Sequence, residues 1–275
     1  SETLMGDLRD TSGPYDNALD TLSIQSSLSR SDSFIPVTVQ FRRLSVEVSD
    51  KSGLRRTILH DLNGTFRAGT LTAIMGASGS GKTTFLNELA GFDSIGVTRG
   101  EILFNGSKRS ARKQRKMMKY VQQDDLLMGH LTVQETLEYA AFFCLPPGTT
   151  SLQRKLRISK VIQSFRLDGC RNVLVGSSEK KGISGGQRKR LHIAAEIISD
   201  PTFMLLDEPT TGLDSRTSLT CIDFLRDMAH SGRTVICTIH QPGAELFSMF
   251  DNIMLLCRGQ IAYYGPTSAV VDSFG

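Results

Sequence analysis

Hydrophobic and polar residues follow two different periods along this chain, and the change of period predicts the order of its elements. Between residues 37 and 75, apolar residues alternate with polar ones or form short runs, which is typical of β-strands. We therefore expect strands at 37–41, 44–48, 57–59, 64–66 and 71–75, and another at 100–106 that ends in an Asn-Gly turn.

The middle of the chain has a helical pattern instead. Residues 131–143 and 151–166 are predicted helices separated by a Pro-Pro-Gly sequence. Thr132 and Glu135 form a capping-box sequence at the start of the first one. We interpret 124–199 as a helical subdomain inserted between two α/β portions. After it, a helix at 215–230 and the start of a helix at 267–274 accompany strands at 203–206, 234–239, 252–257 and 260–264.

The composition is that of an ordinary globular chain, with 39% hydrophobic and 22% charged residues. No apolar run approaches the roughly 20 residues of a membrane helix, and the polar, acidic N-terminus is unlike a secretory signal. The five scattered cysteines, without a C-x-x-C pair, indicate reduced thiols in a cytosolic chain. Residues 1–36 hold six acids, two bases and many serines, so we expect a disordered tail before a domain at 37–275.

A basic cluster lies at residues 108–119, which hold seven bases and no acid. The plainest interpretation is the solvated face of a helix. Contact with anionic lipid headgroups or an acidic partner is the alternative. Nucleic acid is a weaker option, because residues 108–119 hold no aromatic side chain on which bases could stack, and the first aromatic after them is Tyr120. We expect no nucleic-acid partner.

The strongest chemical signal is a glycine-rich sequence that fits G-x-x-x-x-G-K-[ST] and lies between a short apolar run and a helical pattern. Its glycines let backbone N–H groups face one centre, and the helix N-terminus adds partial positive charge. We expect Lys82 to reach the β- and γ-phosphates of ATP, and the Thr83 hydroxyl to ligate Mg²⁺. The nucleotide-binding residues predicted here are Gly76, Ala77, Ser78, Gly79, Ser80, Gly81, Lys82, Thr83 and Thr84.

Two carboxylates follow the apolar strand predicted at 203–206. Ligands of open parallel sheets lie beyond the carboxyl ends of the strands, so Asp207 and Glu208 should meet the phosphate loop, residues 76–83. We expect Asp207 to hold Mg²⁺ through water and Glu208 to deprotonate the attacking water. The predicted fold is therefore α/β: a P-loop NTPase core with a mainly parallel sheet flanked by helices, an antiparallel β subdomain and the inserted helical subdomain.

A second glycine-containing loop, Ser184-Gly185-Gly186-Gln187, opens another helix. Ser184 can cap that helix, and the two glycines let the backbone approach an anion. An ordinary glycine N-cap is the simpler interpretation, but it leaves a second phosphate-type loop in a one-nucleotide domain unexplained. A head-to-tail pair of chains explains it, with each loop closing over the ATP of the other chain.

These motifs, in this order, resemble the ATP-binding cassette (ABC) family, in which residues 184–187 correspond to the signature loop. Residues 120–125 resemble its Q-loop, which implies that Gln123 senses Mg²⁺ and water. Asp214 ends a sequence that resembles the D-loop, which faces the partner chain, and His240 matches the switch histidine that senses the γ-phosphate. Residues 131–137, 188–190 and 238–242 are closest to the White/brown-type G subfamily.

The resemblance covers about residues 37–275 and implies the cytosolic, ATP-hydrolysing domain of a membrane exporter. It implies ATP and Mg²⁺ as ligands, a second nucleotide-binding domain as partner, and a transmembrane domain that holds this one at the cytoplasmic face of a membrane. That subfamily exports sterols, other lipids, pigment precursors or hydrophobic drugs. A soluble ABC ATPase of DNA repair or translation is the alternative. A regulatory module without turnover is a third, but Glu208 and His240 are both present.

The sequence departs from many ABC domains where the nucleotide base is bound. Those domains stack adenine on an aromatic side chain after the first strands, whereas residues 44–48 here offer valines, Val48 among them. We therefore expect aliphatic packing of the adenine and a looser choice between ATP and GTP.

Overall fold

The computed structural model describes residues 35–49, 54–92, 96–108, 110, 117–123, 126–177 and 181–274. Most of the predicted tail at 1–36 lies outside these residues, as do most of the basic cluster at 108–119 and the last two residues of the Q-loop. The interpretations offered for those parts remain predictions.

The regular elements follow the order indicated by the hydrophobic pattern. The strands are β1 (Val39–Ser49), β2 (Arg55–Phe66), β3 (Leu71–Met75), β4 (Gly96–Phe104), β5 (Ser107–Lys108), β6 (Met118–Val121), β7 (Phe203–Leu206), β8 (Thr234–Thr238), β9 (Asn252–Cys257) and β10 (Gln260–Pro266). The helices are α1 (Lys82–Ala90), α2 (Val133–Cys144), α3 (Ser151–Ser164), α4 (Gly185–Ile197), α5 (Ser215–His230), α6 (Ala244–Phe247) and α7 (Val270–Phe274), with 3₁₀ turns at Asp168–Cys170 and Thr267–Ala269. Among the described residues, no helix combines the length and the apolar character that crossing a bilayer requires.

An antiparallel sheet has the strand order β2-β1-β4-β5. Two pairs of predicted short strands are each one long strand: 37–41 and 44–48 belong to β1, and 57–59 and 64–66 belong to β2. The register between β1 and β2 shifts near Arg43, which has a φ of 50°. Such an irregularity interrupts the alternation of side chains, which is why one strand looked like two in the sequence.

The second sheet has the order β10-β9-β3-β8-β7-β6, with β10 antiparallel to β9 and the other neighbours parallel. Its β6 corrects one interpretation, because the basic cluster was expected to be one helix face. Lys119 instead lies in β6, paired beside β7, and its ammonium group is 3.2 Å from the Glu196 carboxylate.

Side chains on the two faces of the parallel sheet enter different hydrophobic clusters. In β8, Val235 and Cys237 join the cluster that contains α2 to α5, while Ile236 joins the cluster beneath the antiparallel sheet. In β7, Leu206 and Leu205 divide in the same way. Successive strand residues point to opposite faces, so a continuous apolar run is what burial of both faces requires.

Aromatic packing fixes α1 against the antiparallel sheet. The Phe85 ring of α1 lies 5.1 Å from the Phe41 ring and 6.1 Å from the Phe66 ring, centroid to centroid, and all three are fully buried. Gly64 makes room for them, because a Cβ there would lie 2.4 Å from the Phe41 ring. Since α1 begins at Lys82, this packing sets the direction in which the phosphate loop enters the helix.

Candidate functional site

The phosphate loop joins β3 to α1 in a backbone conformation that needs glycine. Gly79 and Gly81 have φ values of 75° and 101°, in the left-handed region that other residues rarely adopt. Gly76 has no space for a side chain, because a Cβ there would lie 2.2 Å from the carbonyl oxygen of Leu256. The strand, loop and helix context predicted for this motif is therefore present.

Lys82 and Ser80 fit a site for an anion. Lys82 is only 8% exposed, and its Nζ donates to the carbonyl oxygens of Gly76 at 2.8 Å and Ala77 at 3.1 Å. The buried Ser80 Oγ makes no hydrogen bond to the described residues. No described side chain caps α1, whose first N–H groups have no partner inside the helix. A bound phosphate would satisfy all these groups.

Asp207 connects three elements at the carboxyl end of β7. Its Oδ2 accepts a hydrogen bond from the Thr83 hydroxyl at 3.0 Å, and its Oδ1 accepts one from the Thr238 hydroxyl at 2.5 Å. A hydroxyl and a carboxylate thus lie side by side beneath the phosphate loop. Oxygen donors of this kind are the ligands that Mg²⁺ prefers, so the residues fit the expected metal.

Glu208, the residue after Asp207, has a strained backbone, and hydrogen bonds orient its carboxylate. Its φ is 50°, a left-handed value that is costly outside glycine. Its N–H donates to the Thr238 hydroxyl at 2.8 Å. Its Oε2 accepts from the Thr211 hydroxyl at 2.9 Å and from Gln123 Nε2 at 3.4 Å. These contacts fix the direction of the carboxylate.

The phosphate loop and Glu208 line one cleft of about 770 Å³. His240, the predicted switch residue, is exposed just beyond β8 and lines the same cleft. The structure therefore brings together residues that the sequence assigned to one nucleotide site: Ser78, Gly79, Gly81, Lys82, Thr83, Thr84, Gln123, Glu208 and His240.

Three further lining residues were not found from the sequence: Arg56 and Ile58 of β2, and Thr211. Val48, where we expected the base to pack, instead packs against the apolar cluster beneath the antiparallel sheet. Arg56 and Ile58 have no simple sequence signal, because the register of β1 and β2 shifts between Thr57 and Leu59 and interrupts the alternation there. No sequence pattern indicated Thr211, whose role in the cleft is seen from the hydrogen bond that its hydroxyl donates to Glu208.

The signature loop begins α4 but lies outside the cleft of its own chain. Ser184 Oγ accepts from the N–H of Gln187 at 3.2 Å, and Gln187 Oε1 accepts from the N–H of Ser184 at 2.9 Å, which completes a capping box. Ser184 and Gly185 are exposed. None of residues 184–187 belongs to the described wall of the cleft, so one chain does not join its two glycine loops.

Asp214, expected to face a partner chain, is exposed and caps α5. Its carboxylate accepts hydrogen bonds from the Thr217 hydroxyl at 2.6 Å and the Thr217 N–H at 3.0 Å. These bonds hold the pKa of Asp214 below its usual value. A charged carboxylate therefore lies at the helix N-terminus at neutral pH, where the helix dipole favours it.

Two basic residues after the signature loop attach α4 to the Q-loop region. Lys189 is 9% exposed, and its Nζ donates to the carbonyl oxygen of Gln123 at 2.9 Å. Arg188 donates to the carbonyl oxygens of Gly176 at 2.9 Å and Leu127 at 3.4 Å. The helix that carries the signature loop is thus fixed to the residue whose side chain reaches Glu208.

A phosphate loop follows one parallel strand and a carboxylate pair follows another, with Lys82 and Glu208 facing a common cleft. These features define a P-loop nucleotide-binding domain. The family model described as ABC transporter matches residues 59–211. This chain belongs to the ABC transporter family.

Curated relatives confirm the resemblance to one branch of that family. The chain is 44% identical over 243 residues to ABC transporter G family member 22 of Arabidopsis thaliana, a match that covers 87% of this chain and 32% of the relative. It is 42% identical over 224 residues to Protein white of Drosophila melanogaster, covering 80% of this chain and 33% of the relative. The chain therefore spans about a third of the length of these proteins.

Solved structures confirm the predicted α/β fold. A dimeric bacterial ABC transporter cassette matches with a TM-score of 0.71 at 23% identity. A dimeric post-hydrolysis state of an ATP-binding cassette bound to ADP and Pi matches with a TM-score of 0.70 at 24% identity. Each match covers 83% of this chain and 98% of the other.

Proposed function

We propose that this chain is the ATP-hydrolysing nucleotide-binding domain of an ABC exporter, and that it works as a head-to-tail dimer around two Mg-ATP molecules. One observation carries the proposal. Lys82 and Glu208 face the same cleft, while the exposed signature loop lies outside that cleft in its own chain. Membership of the ABC transporter family and the similarity to G-type relatives support it.

ATP binds first through the phosphate loop. Lys82 neutralises the β- and γ-phosphates, and the N–H groups at the start of α1 donate to the same oxygens. The Nζ of Lys82 now contacts two neutral carbonyl groups. Charged phosphate oxygens are stronger hydrogen-bond acceptors than these carbonyl oxygens. The ammonium group therefore leaves the carbonyls and donates to the phosphates when ATP binds.

We assign Mg²⁺ to Thr83 and Gln123, with Asp207 contributing through water. When bound, the metal neutralises charge that develops on the transferred phosphoryl group. The Thr238 hydroxyl holds the other oxygen of Asp207, which leaves Oδ2 directed toward Thr83. That arrangement keeps the carboxylate from turning away from the metal position.

Glu208 is the general base for the attacking water. Thr211 and Gln123 donate to its carboxylate and so keep it directed into the cleft. Proton transfer to a positioned base contributes roughly 10²–10⁴-fold to the rate. His240, on the same wall, contacts the γ-phosphate and reports whether it is present.

A second chain completes each site. The N-terminus of its α4 carries Ser184, Gly185, Gly186 and Gln187, and the partial positive charge there favours the γ-phosphate of the bound ATP. Asp214, exposed at the start of α5, lies at the same interface. The two solved structures reported above are dimers of one and the same cassette, and its dimeric state supports this arrangement.

A transmembrane domain is the other partner, and it places this domain at the cytoplasmic face of a membrane. Exposed apolar side chains offer a docking surface on the helical subdomain proposed at 124–199: Leu126, Met128, Phe142 and Phe143. The exported compound is a lipid, sterol or other hydrophobic molecule, as in the subfamily that the sequence resembles. A soluble ABC ATPase of DNA repair or translation has less support, because the relatives are named as G family members and Protein white.

Substitution of Glu208 tests the dimer. Glu208→Gln keeps the shape of the side chain and removes its basicity, so turnover should fall roughly 10²–10⁴-fold while ATP binding persists. A ligand that binds only the dimer stabilises it by about 2.7 kcal/mol at a hundredfold excess over Kd. Light scattering should find dimers with ATP, and monomers with ADP or without nucleotide. A variant that stays monomeric in all three conditions would contradict the head-to-tail sandwich.

Substitution of Lys82 tests the nucleotide site itself. Lys82→Ala removes the cation that neutralises the phosphates, so we expect a large loss of Mg-ATP affinity by calorimetry. Lys160→Ala, at an exposed position of α3, removes an equal charge far from the motif and serves as the control. Equal ATP affinity in both variants would show that the phosphate loop is wrongly assigned.

A further inference from the structure

Arg56 and Ile58 are the part of the cleft that the phosphate chemistry leaves unused. The remaining lining residues belong to the phosphate loop and its neighbours, or to the group proposed for hydrolysis around the general base Glu208. Arg56 is exposed and Ile58 is half-buried, and both line the cleft. A nucleotide held by its phosphates must place its base and sugar against some other part of the wall.

The position of β2 relative to the phosphate loop is fixed by backbone contacts. A Cβ at Gly81 would lie 2.7 Å from a methyl group of Leu59 and 3.4 Å from the Ile58 carbonyl oxygen. The N–H of Gly259 donates to the Ser80 carbonyl at 3.0 Å. The carbonyl of Gly259 accepts from the N–H of His60 at 2.8 Å. The turn between β9 and β10 therefore ties β2 to the loop.

Ile58 consequently lies at the edge of the phosphate site, and Arg56 lies two residues further from these contacts. The register of β1 and β2 shifts between Thr57 and Leu59, which shortens this stretch of strand, so the step from Ile58 to Arg56 is at most about 7 Å. That is the order of the distance between the phosphates and the base of a nucleotide. Ile58 and Val48 both pack partly against the apolar cluster beneath the antiparallel sheet, and of the two Ile58 also lines the cleft.

We infer that Arg56 is the platform on which the nucleotide base stacks, with Ile58 packing beside it; this inference rests on the proposed function. A guanidinium group is planar and stacks on aromatic faces, which a lysine ammonium does not. Every purine offers such a face, so an arginine platform binds adenine and guanine alike. The base is thus held by a cationic surface instead of the aliphatic one expected from the sequence.

The test compares two neighbouring arginines. Arg56→Ala removes the platform, whereas Arg55→Ala removes the same charge from the adjacent exposed residue, on the opposite face of β2. Calorimetry on the 275-residue chain should show Mg-ATP binding about 2- to 30-fold weaker in Arg56→Ala, the range of a cation–π contact. Arg55→Ala should match the parent. Arg56→Trp, which supplies an aromatic platform, should recover the lost affinity.

Steady-state kinetics separate base binding from catalysis. Arg56→Ala should raise the KM for ATP and leave kcat unchanged, because stacking is the same in the ground and transition states. Inorganic tripolyphosphate, which has no base, should inhibit Arg56→Ala and the parent equally. A parallel loss of tripolyphosphate binding would show that Arg56 contacts phosphate and would overturn the inference.

Two further outcomes would also overturn it. One is equal ATP affinity in Arg56→Ala and Arg55→Ala. The other is an Arg56→Trp variant that binds no better than Arg56→Ala. Failure of the proposed function looks different, because it would appear as unchanged ATP binding in Lys82→Ala whatever residue occupies position 56.

Discussion

Thr238 is the residue whose substitution most directly tests the geometry of the carboxylate pair. It is fully buried at the end of β8. Its hydroxyl donates to Asp207 Oδ1 at 2.5 Å and accepts from the N–H of Glu208 at 2.8 Å. Thr238→Val has nearly the same shape and makes neither bond. The substitution therefore removes two hydrogen bonds without creating a cavity.

The expected cost follows from those two bonds. A hydrogen bond to a charged group contributes about 1.5–3 kcal/mol, and an ordinary one, such as that of the half-buried Glu208 N–H, about 0.5–1.5 kcal/mol. Thr238→Val should therefore lower the free energy of unfolding by about 2–4.5 kcal/mol. Glu208 also loses the bond that holds its left-handed backbone, so its carboxylate should lose direction and turnover should fall.

Urea denaturation and ATPase assays measure the two effects, and Thr238→Ser is the matched control. Serine keeps the hydroxyl and loses one buried methyl group, which costs about 1 kcal/mol. The serine variant should therefore stay near the parent in both assays. A valine variant as stable and as active as the serine variant would contradict this prediction. It would mean that the Thr238 hydroxyl does not hold Asp207 and Glu208 in solution.

Two further predictions concern the helical part of the chain. Lys189→Met keeps the apolar stem and removes the bond to the Gln123 carbonyl, so kcat should fall while Mg-ATP affinity stays unchanged; Lys189→Arg should recover part of the rate. Hydrogen bonds to the backbone and hydroxyl of Thr132 hold the pKa of Glu135 below its usual value near 4.5. Glu135→Ala should therefore destabilise the chain at neutral pH, and its difference from the parent in urea denaturation should shrink as the pH falls below about 4.5, where Glu135 becomes protonated.

Local chemistry explains which parts of the site could be predicted from sequence. Gly79 and Gly81 adopt left-handed backbone angles that other residues rarely adopt. A loop of this shape therefore requires glycine at these positions, and the requirement is visible in the sequence. The capping boxes at Thr132 and Ser184 are also local, since each joins residues three positions apart. The order of these local motifs was enough to indicate the family.

Contacts between distant residues explain what was missed. Thr238 meets Asp207 across 31 positions, and Lys189 meets Gln123 across 66, so neither contact has a local pattern. The strand β6 was missed for a related reason. It is four residues long and contains Lys119, and its backbone pairing with β7, about 85 positions away, makes it a strand.

Gln123 contacts both Glu208, the proposed catalytic carboxylate, and α4, the helix that carries the signature loop. Its side-chain amide donates to Glu208 at 3.4 Å, while its backbone carbonyl accepts from Lys189 at 2.9 Å. Lys189 lies on the second turn of α4, whose N-terminus is the signature loop. A change in the cleft that moves Gln123 therefore strains a part-buried, charge-assisted bond to α4. In the proposed dimer the signature loop serves the neighbouring site, so this bond connects hydrolysis in one cleft to closure of the other.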